Sequence, residues 1–307
     1  MPRGSSPFLN PQLSLCGSPE LISSYLFQLW PIFIMRIAIL YNRDLYSNEA
    51  LNRLLPALGA HELKLFFSGR VGHKAPQDPR LVNLAFVEQG LFNDYLFPLI
   101  ERLDSQGSRL TFNQLAARFS GGSPALIDTH SAADRALLGA FRPDLIVSIR
   151  FGQILGREVL DLAALGTLNL HSGLLPQYRG VMATFWSLLH DAGQLGTTVH
   201  WIDSEAIDAG PVLATTRQST DREKSYFQQT LSLYRDGVAA LLSVIDTLAE
   251  GAVPQPIASE GSAAYFSFPT AQQLDEFEDR CGALFTPEGV QDVMATFFPK
   301  PSGVDIS

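Results

Sequence analysis

Cysteine is almost absent: Cys16 and Cys281 are the only two in 307 residues. So few exclude a disulfide framework, and neither sits among the neighbours of a thiolate metal cluster. Two free thiols in a reducing, cytoplasmic compartment are expected. The histidines (His61, His73, His130, His171, His190, His200) fall in no short ligand spacing, so no metal is expected. Positive charge is also scarce. There are 22 Lys and Arg against 31 Asp and Glu, a formal net charge of −9, and no basic run. Phosphate binding is carried by clustered basic side chains, so a nucleic-acid partner is not expected. Long apolar runs are missing as well. The stretch SYLFQLWPIFI (24–34) is broken by Pro31, is too short for a bilayer, and precedes no small-residue cleavage site. No membrane association follows. Nor is there an internal repeat, or a G-x-S-x-G nucleophile motif.

What is present begins at Met35. Residues 1–34 are rich in Pro, Ser and Gly without a period, which predicts a disordered N-terminal extension. Apolar runs then alternate with helical patterns. RIAILY (36–41), residues 63–67, DLIVSI (144–149), residues 166–170, TTVHWI (197–202) and residues 212–216 read as strands. Residues 47–58, 91–119 and 131–141 read as helices, the second broken at Pro98 and Gly107. Residues 221–250 carry the best helical stripe, Phe227, Leu231, Tyr234, Val238, Leu241, Ile245 and Leu248, stopped by Gly251 and Pro254. This alternation predicts an α/β fold with an open, mostly parallel, Rossmann-like sheet and flanking helices. Residues 35–250 form its domain, and 251–307 a small C-terminal appendage.

In such sheets ligands gather beyond the carboxyl ends of strands. GTLNLHSGLLPQYRG (166–180) places Asn169 and His171 on one face of a strand, just before a Gly/Pro turn. GTTVHWIDSEAIDAGP (196–211) adds Asp208 beyond another strand, and FGQIL (151–155) follows a third. An amide, an imidazole and a carboxylate can together handle a carbonyl carbon. The amide donates to a developing oxyanion, the imidazole holds or moves a proton, and the carboxylate sets the imidazole's charge.

These residues resemble the folate-dependent formyltransferases of the glycinamide ribonucleotide, methionyl-tRNA and sugar-amine types. The family's hallmark is N-x-H, then a leucine–proline turn ending in Gly, then a distant Asp before a small residue and Gly. Asn169, His171, LLPQYRG (174–180) and Asp208 in IDAGP match it, and the resemblance covers roughly residues 35–250. It implies direct formyl transfer from 10-formyltetrahydrofolate to an amine, with Asn169, His171 and Asp208 catalytic and no metal. It also implies that Phe151, Gly152, Gln153, Ile154 and Leu155 line the pterin pocket. The loop 203–210, with Asp203 and Ile207, would hold the folate. Arg43, Tyr178, Arg179 and His200 would face the acceptor, although Arg179 also reads as a surface or capping residue and His200 as a packed strand residue.

Three departures from the pattern narrow the acceptor. The turn reads His-Ser-Gly-Leu-Leu-Pro, and Asp208 follows His200 by eight positions, one more than expected. The segment YNRDLYSNEAL (41–51) has no glycine and carries Asp44 and Glu49, unlike a backbone cradle for phosphate. This argues against the purine-pathway enzyme. A tRNA enzyme would add an RNA-binding barrel of about 100 residues, whereas 251–307 is acidic and short. A small-molecule amine acceptor is therefore expected. The alternatives are a methionyl-tRNA formyltransferase, a formyltetrahydrofolate hydrolase, and a catalytically silent binding protein on the same scaffold.

Overall fold

The computed structural model describes residues 33–69, 77–105 and 107–299; the arm 1–32, including Cys16, and His73 lie outside them. Strand β1 (Arg36–Asn42) begins one residue after the fully buried Met35, where the first domain was expected to start. Phe33, just upstream, already donates its N–H to the carbonyl of Ala249 at 2.9 Å.

The further strands are β2 (Glu62–Ser68), β3 (Ala125–Leu126), β4 (Leu145–Ile149), β5 (Thr167–His171), β6 (Arg179–Gly180), β7 (Gln194–Trp201), β8 (Val212–Ser219) and β9 (Tyr265–Phe266). Seven of them form one sheet in the order β3-β2-β1-β4-β5-β7-β8. Pairings from β3 through β5 are parallel; β5–β7 and β7–β8 are antiparallel. The mostly parallel α/β sheet is thus as expected. Its topological switch lies between β1 and β4.

Alternation along β1 explains the layering. Ile37, Ile39 and Tyr41 pack on one side with the helices α1 (Leu45–Ala57) and, much later in the chain, Tyr226–Ala249. Ala38 and Leu40 pack on the other with Phe66, Ile127, Leu138 and Ile146. Pro98 does not break a helix. It is the second residue of Phe97–Arg102, which runs on with helical backbone at Leu96 and Phe97 from an 11-residue π-helical segment, Phe86–Leu96. The chain breaks instead between Arg102 and the capped start of Phe112–Phe119.

Helix α2 (Ala183–Leu189) follows β6, and the predicted long helix is α3 (Tyr226–Ala249). It starts five residues later than the expected 221, because Ser225 and Gln228 form a reciprocal capping box there. After α3 come β9, α4 (Ala271–Cys281) and α5 (Pro287–Ala295). This region packs closely onto the rest. Leu274 and Phe277 are fully buried with Phe185 and Trp186, and Phe297 lies in the main core beside Phe92 and Phe97.

Candidate active site

Asn169 and His171 project from the C-terminal half of β5 to the same side, as their i, i+2 spacing requires. The third group arrives by a different route from the one expected. Because β7 runs antiparallel to β5, its carboxyl end lies beside the start of β5, with Trp201 opposite Leu168 and the Ile202 N–H donating to Thr167 at 2.8 Å. The loop 203–210 must fold back to bring Asp208 to Asn169. Gly210 permits the return: a Cβ there would lie 1.9 Å from the Trp201 carbonyl oxygen. Asp208 itself adopts a left-handed backbone, φ 49°.

The carboxylate ends among four nitrogens. Gly180 donates its backbone N–H to Oδ2 at 2.8 Å. The Asn169 amide reaches Oδ1 at a long 3.4 Å. His171 Nδ1 and His200 Nε2 each stand 3.6 Å away, within electrostatic reach but beyond a hydrogen bond. Burial pushes the Asp208 carboxyl upward, but the His171 charge, His200 and the Gly180 N–H outweigh it and hold the group down at about 2. Asp208 is therefore a carboxylate at neutral pH.

Each imidazole is fixed by a backbone carbonyl. His171 Nε2 pairs with Tyr178 O at 2.7 Å, which leaves Nδ1 facing Asp208. His200 Nδ1 pairs with Trp201 O at 2.8 Å, so its Nε2 accepts the Asn169 amide at 3.0 Å. His200 stands directly opposite Asn169 in the β5–β7 register, and cross-strand partners share a face. It is 1% exposed, so it backs the site rather than lining it.

Several residues expected at the site have other engagements. The Tyr178 ring turns to Phe266 and His190, with centroids at 5.9 and 6.0 Å, and only its carbonyl serves the centre. The Arg179 guanidinium is engaged within the chain; Nε and Nη2 both donate to Ile207 O, at 2.8 and 2.6 Å. Arg43 lies over Phe67 and Phe112, at the carboxyl ends of β1 and β2, in a cleft lined also by Asn42, Gln89 and Asn93. In FGQIL, Phe151 and Leu155 are buried in the core, and the Gln153 side chain is spent on Thr129 and Ile127. Gly152 is half-buried in the same loop, where Ile154 is exposed. Ile207 is exposed as well, and Asp203 accepts from Ser204.

Sequence reasoning missed Arg150, which precedes FGQIL. It adopts φ 54°, donates Nε to Asp44 at 2.8 Å and lies 4.7 Å above the Tyr46 ring. A charged residue ending an apolar strand was the available signal. Among the described residues, no group of three His, Cys, Asp or Glu could hold a metal, and no helix is long and apolar enough to cross a membrane.

Residues 125–245 match the formyl transferase family model. Over 180 residues the chain is 31% identical to a methionyl-tRNA formyltransferase of Halorhodospira halophila, covering 58% of each. It is 34% identical over 134 residues to one of Desulfotalea psychrophila, covering 43% of this chain and 41% of that relative. The chain thus spans about half the length of the curated relatives it matches. A solved 4-N formyltransferase of Francisella tularensis aligns with TM-score 0.52 at 14% identity, over 80% of this chain and 87% of that one. At that identity the likeness speaks for the fold alone.

Proposed function

We propose that this chain, which belongs to the folate-dependent formyltransferase family, moves a formyl group from 10-formyltetrahydrofolate to the amine of a small-molecule acceptor. The observation that carries the reading is the meeting of Asn169, His171 and Asp208, brought from a strand end and a returning loop to within 3.6 Å of one carboxylate.

The residues present fit such a co-substrate. Ile154 and Ile207, each 37% exposed, offer uncovered apolar side chains on the segment assigned to the pterin pocket and on the folate loop. When bound, 10-formyltetrahydrofolate supplies the activated one-carbon group. Asn169 supplies an N–H to the oxygen of the tetrahedral intermediate. Its hydrogen toward Asp208 is held at only 3.4 Å, and that is the one it can redirect. Asp208, held near 2, is too weak a base to carry the amine's proton far. Its role is to stabilise positive charge on His171, whose Nδ1 takes the proton the amine sheds and returns it to the departing folate nitrogen. Gln153, Tyr178 and Arg179 shape the site without touching the reacting atoms. Arg43, in its separate cleft, is left as the contact for a distal part of the acceptor.

A second reading, transfer to methionyl-tRNA, is favoured by the names of the curated relatives. One assay separates the two. The protein is incubated with 10-formyltetrahydrofolate and either pooled small amines or methionyl-tRNA, and mass spectrometry identifies what gains a formyl group. A formylated small amine with stoichiometric tetrahydrofolate is the expected result. Formyl-methionyl-tRNA would move the acceptor, and formate release with no amine would make the protein a hydrolase. Tight binding without turnover in every arm would overturn the assignment.

A further inference from the structure

Strand β9 lies in the segment after the long helix, a part of the chain that the Asn–His–Asp chemistry does not involve. It pairs in parallel with β6, whose two residues close the turn beside the catalytic groups, with Arg179 opposite Tyr265 and Gly180 opposite Phe266. Three backbone bonds make the join: Arg179 N–H to Ala264 O at 3.0 Å, Val181 N–H to Phe266 O at 2.9 Å, and Ala264 N–H to Pro176 O at 3.1 Å. The Trp186 indole donates to Ser267 O at 3.1 Å and stacks on Phe266 at 4.9 Å, anchoring the far end of β9.

Successive N–H groups along an extended chain point to opposite edges. The N–H groups of Arg179 and Val181 are taken by β9, so that of Gly180 is turned the other way. There it donates to Asp208 Oδ2 at 2.8 Å, the shortest contact that carboxylate makes with its donors. Next to it, Arg179 grips the carbonyl of Ile207, the residue before Asp208, with two N–H groups. The turn 174–181 is thus held by β9 on one edge and holds the Asp208 loop on the other. Gly180 is fitted to this position: φ is +94°, and a Cβ would lie 2.2 Å from the Phe266 carbonyl oxygen, forcing the strands apart.

We infer that β9 is a working part of the active site, positioning Asp208 through the turn it clamps. The inference rests on the catalytic role proposed above for Asp208, but its structural core can be tested without turnover. Ala264→Pro deletes the N–H that the residue just before β9 donates to Pro176. Phe266→Ala is a second, milder variant that loosens β9 from Trp186 and Tyr178.

For each, hydrogen–deuterium exchange is followed in the peptides 176–182 and 203–210, beside a melting curve and steady-state kinetics with 10-formyltetrahydrofolate. The expected result is exchange about tenfold faster in both peptides, with cooperative melting retained. We also expect kcat about tenfold lower at a KM for 10-formyltetrahydrofolate close to the parent's. Faster exchange in 176–182 with 203–210 unchanged would overturn the inference, because the clamp would then stop at the turn. So would an unchanged kcat in a variant whose exchange has risen in both peptides. Should the variants show the coupled exchange while the parent shows no formyl transfer or hydrolysis, the coupling stands and the reaction proposed for the site falls.

Discussion

Two carboxylates sit buried in polar clusters on this sheet, and they are treated in opposite ways. Asp44, after β1, is fully satisfied. Oδ1 accepts the Ser47 N–H at 2.8 Å as the cap of α1, and Oδ2 accepts from Asn42 at 2.9 Å and Arg150 at 2.8 Å. Asp208 has one bond of that quality, from Gly180, and three nitrogens waiting at 3.4 to 3.6 Å. A fully bonded buried ion pair fixes structure. A carboxylate with one short bond and three nitrogens at or past the limit of bonding distance keeps its neighbours available, and such a site can exchange partners during a reaction. The difference separates scaffold from chemistry more sharply than burial does, since both groups are largely buried.

The sharpest way to break this comparison is to neutralise each carboxylate. Asp208→Asn should lower kcat by about 10² to 10⁴ with cooperative melting retained, on the scale of removing an acid–base partner. Asn169→Ala should cost about 10² to 10³, the scale of one oxyanion donor. Formyl-transfer kinetics check both, and turnover at the parent rate in either variant would overturn the assignment. Asp44→Ala should do the reverse. It strands the Arg150 guanidinium and uncaps α1, costing about 3 kcal/mol of stability and showing first in the melting temperature. A stable Asp44→Ala protein with lost turnover would merge the two clusters into one.

The central strands β1 and β4 and the long helix were legible in the sequence because their signals are local. The run 36–41 and the run 144–149 are continuous apolar stretches of strand length, and the stripe of α3 repeats over six turns. Asn169 and His171 were legible for the same reason, two polar residues in an apolar strand. Direction was not legible. Nothing in TTVHWI says that it runs antiparallel to β5, so neither the cross-strand pairing of His200 with Asn169 nor the return of the Asp208 loop could be read. Motif spacing likewise gave residue types without orientation. Arg179 and Tyr178 were placed toward an acceptor, yet one is committed to the Ile207 carbonyl and the other to an aromatic cluster formed with residues nearly ninety positions later. The two-residue strand β9 carries too little pattern to be seen at all, and its role depends entirely on a non-local partner.

The scaffold cluster has a pH signature of its own. Burial pushes the Glu88 carboxyl up to about 7, with the Asp44 charge adding to the rise, against the pull of Arg150 and the Tyr46 hydroxyl that donates to it at 2.8 Å. An acid whose pKa is higher folded than unfolded holds its proton more tightly in the native state. Its contribution to stability is complete below the unfolded value near 4.5 and is lost as pH rises through about 7. The amount at stake is of order 3 kcal/mol. Glu88→Gln, which stays neutral, should therefore flatten the decline in denaturant stability between pH 5 and about 8. An unchanged slope would mean that another group drives it. Asp208 contributes with the opposite sign. Its stability is present above the ordinary value of 3.8 and is lost as pH falls toward 2, so the two clusters should separate on one pH–stability curve.

The smallest effect is expected at His200, and it sharpens the comparison most finely. His200 contacts Asn169 at 3.0 Å and is held by the Trp201 carbonyl, and at 1% exposure no acceptor reaches it. Its work is to fix which way the Asn169 amide faces. His200→Gln keeps a side-chain oxygen that can accept from Asn169, whereas His200→Leu keeps volume and removes the acceptor. The expected order is about tenfold lower kcat in His200→Leu, partial recovery in His200→Gln, and KM for 10-formyltetrahydrofolate close to the parent's in both. Loss of kcat equal to that of Asn169→Ala would promote His200 to a partner in the chemistry. Equal turnover in all three proteins would make its bond to Asn169 part of the packing alone, leaving the amide oriented by Asp208.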